Sequence, residues 1–339
     1  MTKLQNIRGV LFGTAVGDAL GLPFENLEPS RVKRLMKTPL RHQMLLGNGF
    51  LSDDTEHTFH VAAALAETDS PEEFQRALGR RLRWWFWGLP AGIGLGTLRA
   101  CLRLTIGFPA SRSGVSSAGN GPAMRSALLG VAVPPALLAT YVAACTRLTH
   151  TDPRAEAGAL AVAFAASQLR AGNSPETLLS GVADQIQEPE IRGLLNTAAE
   201  AAERQLSPPD FALQLGLEHG VTGFVNHTVP IALYIAATST NFETAIRSAI
   251  ELGGDTDTVA AITGALAGVR FGPDAIPEEW TNNLSDWPLS TTKLEAAALA
   301  LATGKPPPRL AFVATMARNL LFYMPLVLLH LARRLLPPY

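Results

Sequence analysis

The chain has 339 residues, of which 47% are hydrophobic and 17% are charged, and its formal net charge at pH 7 is −1. This charge balance argues against a nucleic-acid-binding protein, and the length is long for a single core, although single-domain proteins of this size exist. The two cysteines, Cys101 and Cys145, are too few for a disulfide framework or a cysteine-rich zinc site, so we expect buried thiols and a cytoplasmic protein.

The first predicted element is a helix within residues 13–25, which ends at Gly21 and Pro23 and is followed by Glu25. Small residues at positions 13, 17 and 21 share one helix face and would let another backbone come close. Asp18 or Glu25 could supply a carboxylate to a site, although on spacing alone a tightly packed helix with a surface acid is the simpler interpretation. The N-terminus lacks a full signal-peptide hydrophobic region, so we expect it not to be cleaved.

An acidic cluster follows at Ser52–Thr55, after the turn-forming sequence Gly47-Asn48-Gly49. A helix is predicted over residues 56–65, and it places the cluster at a helix N-terminus, where free backbone N–H groups and the helix dipole favour anions. His57 and His60 lie one turn apart in this helix. With no thiolate nearby, we do not expect a zinc site there.

Further helices are predicted through the middle of the chain, and strands are almost absent because alternating β-branched runs are missing. Helix starts that combine a cap with a proline occur at Ser70 and Ser174, and helices are predicted over residues 155–170 and 241–252. The aromatic run at residues 84–87 could stack a base, but we interpret it as part of the core. The predicted fold class is therefore all-α.

A second acidic cluster, Asp255–Thr258, follows Gly253-Gly254 and precedes a helix predicted over residues 259–269. Consecutive side chains of a helix or strand point in different directions, so the carboxylates of each cluster can converge only where the backbone turns. Four carboxylates and several hydroxyls are hard oxygen donors, and such a cluster is costly unless cations compensate it. Ordinary N-capping needs only one such residue, so we predict one shared site for two magnesium-type ions.

The end of the chain differs in character from the rest. A proline-rich linker at residues 305–308 precedes a strongly apolar segment, residues 310–336, and Arg333-Arg334 lie near its end. We therefore divide the chain into a catalytic domain, residues 1–304, and a linker with an apolar helical tail, residues 305–339. The tail has three interpretations: a helix packed on the body, an interfacial helix that gives peripheral membrane association, or a membrane span, which Arg318 and Pro325 disfavour.

Several motifs, in order along the chain, resemble those of the ADP-ribosylglycohydrolases, the family of the dinitrogen-reductase-activating enzyme and the animal ADP-ribosylhydrolases. The matching segments are GTAVGDALGLPFE at 13–25, SDDTEHT at 52–58, GIGLGTLRA at 92–100, SSAGNGPAMR at 116–125, HTDPRAEAGA at 150–159, GFVNHTVPIALYIA at 223–236 and GGDTDTVAAITGALAG at 253–268. SDDT with a distant GGDTDT is the most specific part. The resemblance implies a compact orthogonal multi-helix bundle with a dimetal site in a central cleft.

The resemblance also implies roles for particular residues. Two Mg²⁺ ions, or Mn²⁺ as the alternative, would be held by Ser52, Asp53, Asp54, Asp255, Asp257 and Thr258. The catalytic residues would be Glu25, Asp54 and Asp255, with Glu25 acting in substrate entry or acid–base work. The substrate-binding residues would be Ser117, Gly119, Asn120, Gly121, Met124 and His150, in which the glycine-rich loop approaches the diphosphate and distal ribose.

The implied activity is hydrolysis of the glycosidic bond of ADP-ribosyl groups on protein side chains or in small ADP-ribosyl compounds. In arginine-specific bacterial relatives we expect an acid just before the Ile-Gly-x-Thr stretch, but residues 90–97 of this chain contain none. The linkage therefore stays open between arginine, serine, another acceptor and small compounds. The alternatives are a dimetal hydrolase of another ribosyl glycoside and a catalytically silent ADP-ribose-binding or structural protein.

Overall fold

The computed structural model describes residues 1–325 and residue 328, and these residues form helices joined by short loops. The α-helices of this part of the chain are α1 (Lys3–Gly21), α2 (Pro29–Leu35), α3 (Asp53–Leu65), α4 (Pro71–Trp87), α5 (Leu95–Thr105), α6 (Ala127–Ala132), α7 (Pro135–Arg147), α8 (Pro153–Arg170), α9 (Leu178–Ala183), α10 (Pro189–Glu203), α11 (Pro208–Gln214), α12 (Val225–Thr238), α13 (Phe242–Glu251), α14 (Thr256–Phe271), α15 (Glu278–Asn282), α16 (Thr291–Thr303) and α17 (Phe312–Arg318). Short 3₁₀ turns lie at Leu22–Phe24, Leu45–Gly47, Ala110–Arg112, Ala123–Arg125, Pro175–Thr177 and Pro273–Ala275, and a π-helical turn lies at Asn319–Tyr323.

The predicted all-α class is confirmed, because isolated β-bridges are the only strand-like pairings among the described residues. Local signals set many helix starts, as at α4, where Ser70 Oγ accepts a hydrogen bond from the backbone N–H of Glu73 at 3.3 Å. The helices after the two acidic clusters begin earlier than predicted, at Asp53 and Thr256, because the cluster residues themselves form the first turn.

The closest helix pair is α1 with α14, and glycines on α1 make this packing possible. A Cβ atom placed on Gly13 would lie 2.1 Å from the carbonyl oxygen of Gly264. One placed on Gly17 would lie 2.1 Å from that of Ala260. The partner number falls as the α1 number rises, so the two helices run antiparallel. The end of α1 therefore lies beside the start of α14, as the predicted face of small residues requires.

The core is built around these two helices. Helix α14 is buried at every residue from Thr256 to Val269. The segment Lys3–Phe24 has the length and hydropathy of a membrane span, but 83% of its apolar window is buried inside the protein, as expected of a core helix. Cys101 and Cys145 are free and buried, as predicted.

The structure corrects the interpretation of the aromatic run in α4. Trp85 is buried, but the side chains of Trp84 and Trp87 are 58% and 51% exposed. The reason is helical periodicity: Trp84, one position before Trp85, and Trp87, two positions after it, point away from the helix face that contains Trp85. Only part of the run belongs to the core.

The described part of the C-terminal segment packs on the body of the protein, which is the first of the three interpretations above. Helix α17 and the following π-helical turn bury Thr315, Arg318, Asn319 and Tyr323. Asn319 Nδ2 donates to the carbonyl oxygen of Gly88 at the end of α4, at 2.8 Å. Residues 326–327 and 329–339, including Arg333-Arg334, lie outside the described residues, and the boundary between residues 304 and 305 stays a prediction.

Candidate active site

The two acidic clusters meet at one cleft of about 560 Å³. Asp53, Asp255, Asp257 and Thr258 line this cleft together with Glu25. Ser52 and Asp54 do not line it, since they are buried beside it, with 2% and 1% of their surfaces exposed. All six predicted metal ligands and the predicted catalytic residue Glu25 are thus brought together, although about 200 residues separate the two clusters along the chain.

Backbone contacts position the second cluster. The backbone N–H of Asp255 donates to the carbonyl oxygen of Val221 at 2.7 Å, and that of Gly254 donates to Leu27 at 2.8 Å. Gly254 has a φ of +79°, and a Cβ atom there would lie 1.9 Å from the carbonyl oxygen of Val221. Only glycine permits three chain segments to meet this closely.

Asp18 positions the first cluster. Its buried carboxylate accepts hydrogen bonds from the backbone N–H groups of Ser52, at 2.9 Å, and Thr55, at 3.3 Å, and from the Thr55 hydroxyl. These groups lie at the N-terminus of α3, where unpaired N–H groups need acceptors. Asp18 therefore joins α1 to the start of α3, and the fold uses it to hold the cluster in place.

A hydrogen bond joins the clusters, and another within the first cluster supports it. Thr258 Oγ1 donates to Asp54 Oδ2 at 3.2 Å, and Ser52 Oγ donates to the same oxygen at 3.1 Å. The other carboxylate oxygen of Asp54 and Oδ1 of Asp257 are buried without a hydrogen-bond partner among the described residues. Buried polar atoms are normally paired, so these two oxygens mark a place for a ligand that accepts lone pairs.

The electrostatics of the cleft point the same way. Burial, and then the neighbouring carboxylates, raise the pKa values of Asp53, Asp54 and Asp257 well above the ordinary value for aspartate. Burial also raises the pKa of Asp255, although the hydrogen bond from Asn120 opposes this shift. Carboxylates that are held this close stay charged at neutral pH only when a cation compensates them.

The donor set suits a hard divalent ion, because it consists of carboxylate and hydroxyl oxygens with two buried unpaired oxygen atoms. Within the described residues, no group of three or more His, Cys, Asp or Glu side chains is already arranged to hold an ion. Binding of two divalent ions by these oxygens is therefore our proposal. His57 Nδ1 lies 3.0 Å from an Arg125 guanidinium nitrogen, which is a poor setting for a metal ligand.

Comparison with known proteins identifies the family of this chain. The ADP-ribosylglycohydrolase family profile matches residues 1–309. This chain belongs to the ADP-ribosylglycohydrolase family.

Three relatives show how far the similarity extends. The ADP-ribosyl-dinitrogen reductase glycohydrolase of Rhodospirillum rubrum is 28% identical, over 81% of this chain and 89% of the relative. The ADP-ribosylhydrolase ARH3 of Xenopus tropicalis is 27% identical, over 82% of this chain and 90% of the relative. A solved structure described as an ADP-ribosylglycohydrolase-related protein complex matches with a TM-score of 0.67 and 28% identity, covering 89% of this chain and 99% of that one.

The structure of this family member also places all six predicted substrate-binding residues in the cleft wall. They are Ser117, Gly119, Asn120, Gly121, Met124 and His150. Asn120 connects this wall to the acidic floor, because its Nδ2 donates to Asp255 Oδ2 at 2.6 Å and to Thr228 Oγ1 at 3.0 Å.

His150 presents a neutral ring to the cleft. Burial, and then the nearby Arg125, lower its pKa to about 3. Arg125 donates to the hydroxyl of Thr149 at 2.7 Å, and Nδ1 of His150 lies 2.9 Å from that hydroxyl. We assign the hydroxyl as the donor to Nδ1, so that Nε2 carries the ring proton. Nε2 faces the glycine-lined side, where a Cβ atom on Gly96 would lie 2.6 Å away.

Two parts of the site were not predicted from the sequence. Residues 219–223 line the cleft, and a Cβ atom on Gly223 would lie 3.3 Å from Asp255 Oδ2. The buried Arg125 supports Thr149 and His57 from behind the wall. Both were detectable in principle, because Gly223 and Arg125 stand within the segments that match the family motifs.

Proposed function

We propose that this family member is a dimagnesium-dependent hydrolase that cleaves the glycosidic bond of ADP-ribosyl groups on protein side chains or in small ADP-ribosyl compounds. Family membership supports the general activity of hydrolysis at ADP-ribosyl bonds. One observation carries the proposal furthest: the two acidic clusters are joined through Asp54 and Thr258 at the floor of a cleft whose wall holds the glycine-rich loop and His150.

The floor and the wall of the cleft differ in chemistry, and this difference suggests how an ADP-ribosyl group is oriented. The floor carries carboxylates, whereas the wall carries glycines 119 and 121 and the N–H donor of His150. A ribose with its hydroxyl groups suits the floor, and phosphate oxygens suit close backbone and N–H donors. In this orientation the bond to be cleaved lies at the end of the cleft near Glu25.

The reaction itself demands charge stabilisation at the anomeric carbon, because glycosidic bonds of ribose break through an oxocarbenium-like transition state. Asp54, Asp255, Asp53 and Asp257 would hold the divalent ions with Ser52 and Thr258. When bound, such ions supply Lewis acidity at ribose hydroxyls and lower the pKa of a nearby water. The protein itself orients the carboxylates through Asp18 and Asn120 and encloses the ribose.

Glu25 is the proposed acid–base residue at the mouth of the cleft. It follows the 3₁₀ turn at the end of α1 and lies in the cleft lining, where Asn26 Nδ2 donates to its Oε1 at 2.6 Å. From this position its carboxylate can exchange a proton with an attacking water or with the leaving group. Asp54 and Asp255 act deeper in the cleft, in our proposal, by orienting the ribose.

The acceptor side of the cleft is formed in part by residues 92–97, which are mainly glycine, leucine and threonine. These residues offer no carboxylate to a guanidinium, so the wall does not by itself select an arginine linkage. We therefore extend the proposal to arginine-linked, serine-linked and small ADP-ribosyl substrates, and we leave the choice between them to experiment.

The test is a product assay on three substrate types: arginine-linked and serine-linked ADP-ribosyl peptides and a small ADP-ribosyl compound. We expect release of free ADP-ribose with Mg²⁺ and none with excess chelator, because the acidic floor needs cations to bind ribose. The matched variants are Asp54→Asn, which removes a charge from the cluster, and Asp274→Asn, which removes one from an exposed turn far along the chain.

Hydrolysis that persists in chelator would overturn the metal requirement. ADP-ribose binding in a calorimeter without turnover of any of the three substrates would favour a silent binding protein instead. Turnover of another ribosyl glycoside, with the ADP-ribosyl substrates untouched, would identify the alternative dimetal hydrolase.

A further inference from the structure

Arg318 lies beyond the segment that matches the family profile, which ends at residue 309, but its side chain contacts Leu51 and Glu56, on either side of the first acidic cluster. The residue is only 4% exposed. The Nε atom of its guanidinium donates to Asp286 Oδ1 at 3.1 Å. One terminal nitrogen donates to Glu56 Oε1 at 3.2 Å and to Asn319 Oδ1 at 2.9 Å. The other terminal nitrogen donates to the carbonyl oxygen of Leu51 and to Asp286 Oδ2, both at 2.5 Å. All five N–H donors of the side chain therefore have an acceptor.

These contacts hold the chain on both sides of the first cluster. Leu51, directly before Ser52, is held at both backbone groups, because its N–H donates to Asp286 Oδ2 at 2.8 Å while its carbonyl accepts from Arg318. On the other side, Glu56 lies one helical turn after Ser52 and accepts from both Arg318 and the indole N–H of Trp85. The loop and the first turn of α3 are thus fixed together.

The same contacts balance charge. Glu56 and Asp286 are buried carboxylates, and the guanidinium of Arg318 forms a salt bridge with each of them. Removing the cation would leave two buried acids without their partner, which is a costly arrangement. Any experiment on Arg318 must therefore separate a loss of general stability from a change at the cluster.

We infer that Arg318 is a positioning residue for the metal site: it sets the conformation of residues 51–56 and so the direction of Asp53 and Asp54. The inference rests on the proposed function, because it assumes that the cluster binds divalent ions. It gives the C-terminal segment a role in the site, although the described part of that segment supplies no residue to the cleft lining.

The test compares Arg318→Met and Arg318→Lys with Arg270→Met. Arg270 also donates to buried backbone, at the carbonyls of Ala236, Ala237 and Ser239, but it lies at the opposite end of α14 from the second cluster. The measurements are Mn²⁺ binding by calorimetry, amide hydrogen exchange of residues 48–56 and the thermal midpoint Tm.

For Arg318→Met we expect Mn²⁺ affinity to fall by about tenfold to a hundredfold, the range for residues that orient metal ligands, with faster exchange in residues 48–56. Arg318→Lys keeps the charge but not the fork of donors, so its loss should be smaller. Arg270→Met should lower Tm without either change. If Arg318→Met does not fold, Arg318→Lys and Asp286→Asn, which change volume little, replace it.

Arg318 variants that lose stability yet bind Mn²⁺ and exchange amides as the wild-type protein does would overturn the inference. Wild-type protein that binds no Mn²⁺ would instead count against the proposed function. In that case the exchange rates of residues 48–56 alone decide whether Arg318 holds the loop.

A separate surface, on α4, carries an independent inference. Residues 74–151 contain nine arginines, at positions 76, 80, 81, 83, 99, 103, 112, 125 and 147, and no acidic residue. Arg76, Arg80, Arg83, Trp84 and Trp87 follow the spacing of a single face of α4. The two tryptophans on this face are more than half exposed. We name this the arginine–tryptophan face.

The C-terminal segment contacts this face through Phe312 and carries further exposed apolar side chains of its own. The ring of Phe312 lies 5.6 Å from that of Trp84, and Val313, Leu321 and Phe322 are 69%, 68% and 57% exposed. A cavity of about 680 Å³ between α4 and this segment has Arg80 among its lining residues. The same cavity is also lined by Arg81, Arg309, Glu56 and Glu67, but the exposed face of α4 presents arginines 76, 80 and 83 beside its two tryptophans. Large aromatic side chains exposed together on one face are unusual for a surface that faces only water.

We propose that the arginine–tryptophan face binds the surface of an anionic phospholipid bilayer. Arginines attract lipid phosphates, and tryptophans are favoured at the boundary between headgroups and acyl chains. A second copy of this chain is a poorer partner, because a symmetric contact would place the arginines of the two copies against each other.

The test is co-sedimentation with vesicles of phosphatidylcholine alone and of phosphatidylcholine with phosphatidylglycerol. We expect binding only to the second type, weakened about fivefold for each arginine in Arg76→Gln, Arg80→Gln and Arg83→Gln, and also by Trp84→Ser with Trp87→Ser. The controls are Arg192→Gln on α10 and Leu213→Ser on α11, which change exposed residues outside this face. Equal binding to both vesicle types, no binding, or a dimer that the same changes dissociate would overturn this proposal.

Discussion

The two acidic clusters occupy equivalent positions at helix N-termini, but different kinds of contact hold them in place. Backbone hydrogen bonds hold the second, between Asp255 and Val221 and between Gly254 and Leu27. Side chains hold the first, since Asp18 accepts from its N–H groups and Asp286 and Arg318 bind the residue before it.

This difference determines how each cluster responds to residue substitutions. A backbone-held cluster depends on glycines whose replacement causes steric overlap, as at Gly254, and is insensitive to most side chains around it. A side-chain-held cluster depends on single distant residues, and losing one leaves buried charges unpaired. We expect the second cluster to be nearly invariant in conformation and the first to be adjustable through Asp18 and Arg318.

The largest effect should come from removing the second cluster. In Asp255→Ala with Asp257→Ala, turnover of ADP-ribosyl substrate should fall to the uncatalysed background, because half of the carboxylates that would hold the ions are gone. The helical circular dichroism should be unchanged, since the backbone contacts of Asp255 and Gly254 do not use these side chains. Undiminished hydrolysis in this double variant would refute the shared metal site.

The next largest effect concerns the packing of α1 against α14. Asp18 on α1 holds the first cluster, and α14 begins in the second cluster, so this packing sets the distance between the clusters. Gly17→Ala places a Cβ atom 2.1 Å from the carbonyl oxygen of Ala260 and must push α1 away from α14. We expect a loss of about 1–3 kcal/mol in the free energy of unfolding, measured with urea, together with lower activity. The matched control is Gly193→Ala in α10, where a Cβ atom meets nothing within 4 Å among the described residues.

Gly193→Ala should stabilise the protein by about 0.5–1 kcal/mol, because alanine loses less conformational freedom than glycine in a helix. Equal effects of the two substitutions would show that the tight contact between α1 and α14 is less important than its distances suggest.

Much of this arrangement could be predicted from the sequence, and the reason is that local rules govern it. The spacing of Gly13, Gly17 and Gly21 predicted a close helix contact, and the capped proline starts predicted α4 and the helical segment that begins at Pro175. The convergence of the acidic clusters followed from their chemistry. The resemblance to the family supplied the fold and the six residues of the cleft wall, which spacing alone did not.

The remaining features depend on contacts between residues far apart in sequence. Nothing near Asp18 in the sequence shows that it caps α3, and nothing near Arg318 shows that it binds Leu51, Glu56 and Asp286. The exposure of Trp84 depends on which face of α4 meets the core. Such pairings are set by tertiary packing, which local patterns do not encode.

A smaller effect is expected in the pH dependence of metal-free protein. Asp53, Asp54 and Asp257 have folded-state pKa values raised well above those of the unfolded chain, so their contribution to stability is lost as pH rises towards the folded-state values. The buried or partly buried histidines 42, 57, 60, 150 and 227 act in the opposite direction, because their pKa values are lowered in the folded state and the unfolded chain binds more protons there until pH rises past about 6.5.

The aspartate contribution is isolated as the difference in the free energy of unfolding between wild type and Asp257→Asn, measured with chelator present. This difference should fall as pH rises above about 4, the pKa of aspartate in the unfolded chain, by at most about 1.4 kcal/mol per pH unit. Mg²⁺ should flatten the curve, because bound cations favour the charged carboxylates. A difference between wild type and Asp257→Asn that rises with pH in chelator would contradict the assignment of the raised pKa values.

The smallest effect should come from Thr258→Val, which removes the hydroxyl that joins the two clusters. Thr258 Oγ1 donates to Asp54 Oδ2 at 3.2 Å, and hydrogen bonds to charged groups contribute about 1.5–3 kcal/mol, so we expect a reduction of about tenfold or somewhat more in kcat/KM. The matched control is Thr263→Val, which lies further along α14. The Thr263 hydroxyl is buried without a partner among the described residues. Removing that hydroxyl should leave activity unchanged and should not lower Tm, since an unpaired buried polar atom opposes folding. If Thr258→Val and Thr263→Val behave alike, then the backbone of α14 and not the hydroxyl of Thr258 sets the distance between the clusters, and the backbone-held cluster alone organises the site.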